Sequence, residues 1–347
     1  MSQSIYREAH GRIAADPCEI LTSTNNERQI GMANLHNEFI SFSNEISLSS
    51  AQKEELRTSR DSIRDHIRKW MQDNKDISVK FYLQGSYAMH TAVKPINEGE
   101  YDIDDGVYLT DYYDMEDENL PSCETVHGWI KRAVKDQTST DPIDKNTCVR
   151  VVYKHGYHID LPIYTLRNNA AFLANKKSGW IESDAKSFKD WLHDQLGESG
   201  DQGHRLIKYL KRWKDENVVN LKGIELTILV ANNATYKSGR DDLSLRYTVA
   251  SIYETLQQNF ICLKPVAPFE DLFEEKAGSK DAILNQLKQL RDALIDATDL
   301  ATSTEEASEK MAIYFGSSFS TSTNANDKLN LQRTAAPGIL KRDGRSG

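Results

Sequence analysis

Cysteine is scarce in this chain: only Cys18, Cys123, Cys148 and Cys262 occur in 347 residues. They lie far apart, with no CxxC pair and no histidine-rich neighbour, which argues against a structural zinc site and against a disulfide framework. Long apolar runs are missing too. No segment reaches the roughly 18 apolar residues of a membrane span, and the N-terminal "MSQSIYREAHGRIAADPCEI" has no continuous apolar core. Positive charge is in deficit, with 43 Lys and Arg against 52 Asp and Glu for a net charge of −9. A large nucleic-acid surface is therefore not expected as the main function. These absences together lead us to expect a cytoplasmic, soluble protein without a membrane partner. Small phosphorylated ligands remain open to it, because a local basic patch or bound metal ions outweigh distant, screened charges. The length suffices for one large domain or two ordinary lobes with a substantial core.

What is present begins with a long helical pattern in "SLSSAQKEELRTSRDSIRDHIRKWMQDN". Ser49 and Gln52 form a capping box, and Leu56, Ile63, Ile67, Trp70 and Met71 recur on one face. "ISVKFYL" then alternates as a half-buried strand and stops at Gly85-Ser86, where "SYAMHTAV" starts a short helix. In "YDIDDGVYL" residues 101, 103, 107 and 109 share one parity, while Asp102 and Asp104 share the other and so point to one face. A helix capped by Ser122 follows. "TCVRVVY", "KHG" and "YHIDLPIYTL" make a hairpin with His158 and Asp160 on one face. From about residue 180 the pattern is helical, interrupted by the apolar connection "ICLKPVAPFEDLF", which we expect to dock against the first lobe. After Phe315 periodicity fades into a Ser, Thr, Asn and Gly-rich basic stretch, which reads as a disordered tail.

Clustered carboxylates repel one another, so a chain that keeps them together has a cation to hold. Asp102 and Asp104 on one strand, with Asp160 on a neighbour facing the same way, read as ligands for two Mg2+ ions, or Mn2+, shared with substrate phosphates. Gly85 and Ser86 stand at a helix start, where free backbone N–H groups and the helix dipole favour a phosphate. The combination suits a nucleoside triphosphate. Asp105 has the opposite parity and is expected to bond backbone or a positive side chain. His158 is read as a structural histidine, and Trp70, Trp129, Trp191 and Trp213 as core anchors. "DPID" at 141–144 is read as a turn. Arg205, Lys211 and Arg212 cannot be placed by helical spacing alone.

The ordered set "QGSYAMHTAV", "YDIDDGVYL", "KNTCVRVVY" and "YHIDLPIY" resembles the bacterial cGAS/DncV-like nucleotidyltransferases (CD-NTases) of the polymerase-β-like superfamily, over roughly residues 50 to 315. The resemblance implies an α+β fold with three parts. Residues 1–170 would be a nucleotidyltransferase lobe with a small mixed sheet and a long leading helix, residues 171–315 a helical lobe across a cleft, and residues 316–347 the tail. It also implies that Gly85 and Ser86 grip phosphate, that Asp102, Asp104 and Asp160 bind metal, and that Asp160 takes the proton of the attacking 3′-hydroxyl. Lys208 in "LIKYLKRWKDE" would reach the triphosphate. One departure is Gly223, which stands where such enzymes often carry a small hydroxyl residue. The implied reaction joins ATP and GTP, or other nucleoside triphosphates, into a cyclic oligonucleotide that switches on an effector in antiphage signalling. Some relatives are joined to targets through a C-terminal glycine, which makes a ubiquitin-like conjugation enzyme acting on Gly347 a further expected partner. Two readings stay open beside it: a nucleotidyltransferase that modifies a single acceptor, and a non-catalytic nucleotide sensor.

Overall fold

The structure, a computed structural model, describes residues 33–96 and 99–321. Helix α1 (His36–Ile46) leads into α2 (Ser50–Lys75). Gln52 N donates to Ser49 Oγ at 3.2 Å and Ser49 N to Gln52 Oε1 at 2.9 Å, so the expected capping box satisfies two N–H groups that a helix start otherwise leaves bare. Strand β1 (Val79–Gln84) enters the single-turn helix α3 (Gly85–Ala88), and β2 (Tyr101–Leu109) follows the connecting loop. Helix α4 (Cys123–Ala133), capped by Ser122, precedes strands β3 (Ile143–Asp144), β4 (Val149–Tyr153), β5 (Tyr157–Leu161), β6 (Ile163–Arg167), β7 (Ala170–Asn175) and β8 (Gly179–Glu182). The helices α5 (Ala185–Leu196), α6 (Gly200–Glu216), α7 (Gly223–Asn233), α8 (Asp241–Gln258), α9 (Lys280–Ile295) and α10 (Thr304–Phe315) come next. None of the described helices is long and apolar enough to cross a membrane.

The eight strands form one mixed sheet in the order β3-β4-β5-β2-β6-β7-β8, with β1 paired to β2. Strand β1 runs antiparallel to β2, whereas β5 and β6 both run parallel to it. The single strand expected from residue 157 is divided at Pro162, which has no N–H to offer the ladder, while its carbonyl accepts from Val107 N at 2.8 Å. The sheet also continues to Glu182, past the boundary expected at residue 170. The sign for this hairpin was the Asn168-Asn169 pair, whose φ values of +48° and +64° supply the two left-handed residues of a tight two-residue turn.

Two large apolar cores are found among the described residues, beside a small cluster of Tyr108, Tyr164, Ala171 and Leu173. One packs α2 and α4 against the sheet through Leu56, Ile63, Ile67, Val126, Ile130, Ile103 and Ile159. The other joins the later helices, and α1 belongs to it: Phe39 and Phe42 stack among Tyr209, Phe315 and Phe319 at centroid distances of 5.0 to 5.7 Å. The leading segment thus crosses from the expected first lobe into the second core. Phe319, placed by sequence in the tail, is 3 % exposed and ordered by those rings. Residues 322–347 of that stretch, including Gly347, lie outside the described residues, as does Cys18.

Asp105 behaves as its parity demanded. It points into the sheet-lobe core, fully buried, and its carboxylate accepts from Arg64 Nε and Nη2 at 2.6 and 2.5 Å. A two-pronged guanidinium is the partner that makes such burial tolerable. Trp129 and Trp213 are buried, and Trp70 and Trp191 pack partly buried against the two cores. Asp144 of "DPID" is more than a turn residue, because it ends β3 and accepts from His127 Nδ1 and Lys176 Nζ at 2.9 Å each.

Candidate functional site

A cleft of about 380 Å³ opens between the sheet and the later helices. One wall carries Gln84, Gly85, Ser86, Met89, Asp102 and Asp104, and the facing wall includes Lys211, Gly223, Thr227 and Lys264. The sheet register explains the first wall. Gln84 stands opposite Asp104, so the end of β1 delivers Gly85 and Ser86 beside the carboxylates of β2. Gly85 is required there on two counts: its φ is +69°, and a Cβ at this position would overlap Asp104 Oδ2.

No described donor hydrogen-bonds to Asp102 or Asp104, and neither forms an ion pair among the described residues. Burial, with Asp102 and Asp160 close by, pushes the Asp104 carboxyl up to about 7. Paired oxygen donors with no protein cation on them, one of them held from ionising by its surroundings, fit a hard divalent cation.

Asp160 is placed differently from the expectation. It lies opposite Asp104 in the parallel register, yet it is not part of the cleft wall. Arg150, its cross-strand neighbour on β4, takes both carboxylate oxygens, with Nε to Oδ1 and Nη2 to Oδ2 both at 2.7 Å. Among the described residues no three His, Cys, Asp or Glu side chains are grouped to hold a metal. The expected three-carboxylate cluster is therefore two carboxylates in the cleft and a third beside them, clasped by a guanidinium. His158 Nδ1 lies 3.0 Å from Glu100 Oε2, in keeping with a structural role.

Lys208 does not reach this cleft. Its Nζ donates to Ser47 Oγ at 3.0 Å, in a separate pocket with Lys53, Arg57 and Tyr87. Lys211 is the lysine of α6 that faces Asp102 and Asp104. Its Nζ donates to Thr91 O and Oγ1 at 3.1 and 3.0 Å, and burial pulls its pKa down to about 8 although Asp102 acts in the opposite sense. Gly223 admits it, because a Cβ there would stand 3.3 Å from Lys211 Cε. The two other basic residues turn elsewhere: Arg205 grips Asp241, and Arg212 Nη2 donates to Lys94 O at 2.7 Å. Lys264 comes from the apolar connection, which docks through Ala267 O onto Asp184 N at 3.2 Å. Nothing in the sequence marked Thr227 or Lys264, since their neighbourhood depends on how the helices pack.

Residues 79–164 match the family described as the cyclic GMP-AMP synthase DncV-like nucleotidyltransferase domain. That span runs from the start of β1 into β6 and includes Gly85, Ser86, Asp102, Asp104 and Asp160. A cyclic GMP-AMP synthase of Escherichia albertii is 30% identical over 215 residues, covering 58% of this chain and 47% of that protein, so the match spans about half its length. A c-di-GMP synthase of Roseivirga ehrenbergii is 22% identical over 280 residues, 72% of each chain. In fold the chain is similar to a point mutant of the Vibrio cholerae dinucleotide cyclase DncV solved with ATP, GTP and 5MTHFGLU2, with a TM-score of 0.72 at 18% identity over 84% of this chain and 98% of that one. The same cyclase bound to the linear intermediate pppA(3′,5′)pG matches with a TM-score of 0.70, 18% identity and the same coverage.

Proposed function

We propose, from the match of residues 79–164 to the DncV-like nucleotidyltransferase domain, that this chain joins two purine nucleoside triphosphates, ATP and GTP first among them, into a 3′–5′ cyclic dinucleotide that an antiphage effector reads. The observation that carries this reading is the pair of unpartnered carboxylates, Asp102 and Asp104, set against the Gly85-Ser86 turn and faced by Lys211 across one cleft. The relatives named for cyclic GMP-AMP and c-di-GMP support a purine product, and the linear intermediate held by the Vibrio cyclase supports the linkage.

In this reading the turn at Gly85 and Ser86 holds the β and γ phosphates through backbone N–H groups and the Ser86 hydroxyl. Lys211 supplies positive charge from the helical wall. Asp102 and Asp104 are the residues that would hold Mg2+, which supplies neutralisation of phosphate charge and activation of the attacking hydroxyl. The 3′-oxygen of one nucleotide bonds to the α-phosphorus of the other, the bond to pyrophosphate breaks, and Asp160 takes the hydroxyl proton. A second round between the remaining ends closes the ring.

The test is incubation of the purified protein with labelled ATP, GTP, CTP and UTP and Mg2+, without any acceptor, followed by phosphatase treatment and mass spectrometry. A phosphatase-resistant purine dinucleotide is expected. Label transferred only to an added acceptor would replace this reading with the single-acceptor enzyme, and no transfer at all would leave the sensor.

The two lysines of α6 give a sharper check. Lys211→Met is expected to raise KM for nucleotide by about tenfold to a hundredfold, the scale of one charge-assisted hydrogen bond. Lys208→Met should leave KM within about twofold, since Lys208 lies in a separate pocket bonded to Ser47 and makes no contact with this cleft. Lys211 is charged below its pKa of about 8, so wild-type KM should climb as pH passes that value, and Lys211→Met should lack the rise. Steady-state kinetics from pH 6 to 10 would read both.

A further inference from the structure

A row of side chains crosses four adjacent strands on one face of the sheet. Arg150 on β4 stands opposite Asp160 on β5, Asp160 opposite Asp104 on β2, and Asp104 opposite Gln84 on β1. The only cation in the row is Arg150, and its Nε and Nη2 both go to Asp160, the carboxylate that is not part of the cleft lining. Both Asp160 oxygens are occupied at 2.7 Å, and the pair is largely shielded, with side-chain exposures of 20% for Arg150 and 11% for Asp160. A guanidinium stays charged at any working pH, so loss of a proton cannot open this clasp. Only a competing cation on Asp160, or a competing anion on Arg150, can.

We propose that Arg150 is a latch on the third carboxylate. In the nucleotide-free protein it keeps Asp160 from serving as a cation ligand, so that only the site at Asp102 and Asp104 is open, and a bound triphosphate draws the guanidinium away and completes the cluster. The inference rests on the reading of Asp102 and Asp104 as the cation site. It makes Arg150 a positioning residue, whose exchange of carboxylate for phosphate ties assembly of the catalytic group to arrival of the substrate. Two-pronged geometry is essential to it, because a single contact leaves one Asp160 oxygen free.

The test is Mn2+ binding to the full chain without nucleotide, followed by electron paramagnetic resonance and calorimetry, with folding of each variant checked by circular dichroism. Wild type is expected to bind one Mn2+. Arg150→Lys keeps the charge and loses the fork, and Arg150→Gln loses both. Each should bind a second Mn2+, and adding a non-hydrolysable triphosphate to wild type should have the same result. Should Arg150→Lys match wild type while Arg150→Gln alone binds more tightly, Arg150 acts through charge only and the latch is overturned. Asp160→Asn keeps the proposal testable if the arginine variants do not fold. It should retain the first Mn2+ at wild-type affinity and gain none with triphosphate, whereas loss of the first ion would show Asp160 to be a ligand at rest and overturn the latch. Mn2+ binding to neither wild type nor Arg150→Lys would overturn the cation site itself, and the latch with it.

Discussion

Asp104→Asn should abolish nucleotide joining, by about a thousandfold or more, and at the same time make the metal-free protein harder to melt. The loss follows from removing one of two unpartnered ligands, since a bound cation contributes several kcal/mol to the transition state and about 4 kcal/mol amounts to three decades in rate. The gain in stability follows from the raised carboxyl. Burial and the neighbouring Asp102 and Asp160 push the Asp104 carboxyl up from its ordinary 3.8 to about 7 in the fold. Below the lower value both folded and unfolded chains hold the proton and nothing is lost. As pH climbs between the two values the unfolded chain ionises first, so the wild-type penalty grows, and above about 7 it is complete. Three pKa units correspond to roughly 4 kcal/mol at most, before any relaxation of the cleft. With about 1.4 °C per kcal/mol for a chain of this size, Asp104→Asn should melt up to about 5 °C above wild type in EDTA at pH 8, and at the same temperature at pH 4. Mg2+ should then raise the wild-type Tm and leave the variant unmoved, by mass action on a site only one of them retains. Equal melting of the two proteins at pH 8 in EDTA would contradict the electrostatic account of this pair.

Gly85→Ala is the second large effect, and a control exists for it within the same sheet. The left-handed backbone alone costs an ordinary residue about 1–2 kcal/mol. Gly85 carries an additional constraint, because its Cβ would overlap Asp104 Oδ2. The methyl therefore displaces the carboxylate on which the site depends, and a misplacement on the order of 1 Å is enough for about a hundredfold loss in rate. Gly156, in the β4–β5 turn, has φ +77° with nothing within 4 Å of a Cβ. Gly156→Ala should lose similar stability and keep its activity. Parallel melting curves and product assays would separate strain from displacement, and full activity in Gly85→Ala would remove the turn from the site.

Much of the site is legible in the amino-acid pattern. Alternation in "YDIDDGVYL" assigned Asp102 and Asp104 to one face and Asp105 to the other, and Asp105 is found in the core with Arg64. Ser49, Gln52 and Ser122 marked two helix starts correctly. Misreadings cluster where the answer depends on a distant partner. Lys208 and Lys211 are three residues apart, and about 100° per residue leaves them on neighbouring faces of one helix. Which face meets the sheet was decided by the packing of α6 against α1 and α7, and Lys211 is the one turned to the carboxylates. The clasp on Asp160 is of the same kind, because Arg150 becomes its neighbour only through the antiparallel register of β4 and β5.

The chain's own pattern thus determined the periods, the caps and the face of each carboxylate, since all of these arise from backbone geometry repeating over two to four residues. Tertiary structure alone decided which lysine enters the cleft, which core receives α1 and which cation holds Asp160. Those choices are made by contacts between residues far apart in sequence, and side chains at the wrong end of such a contact look locally the same as those at the right one.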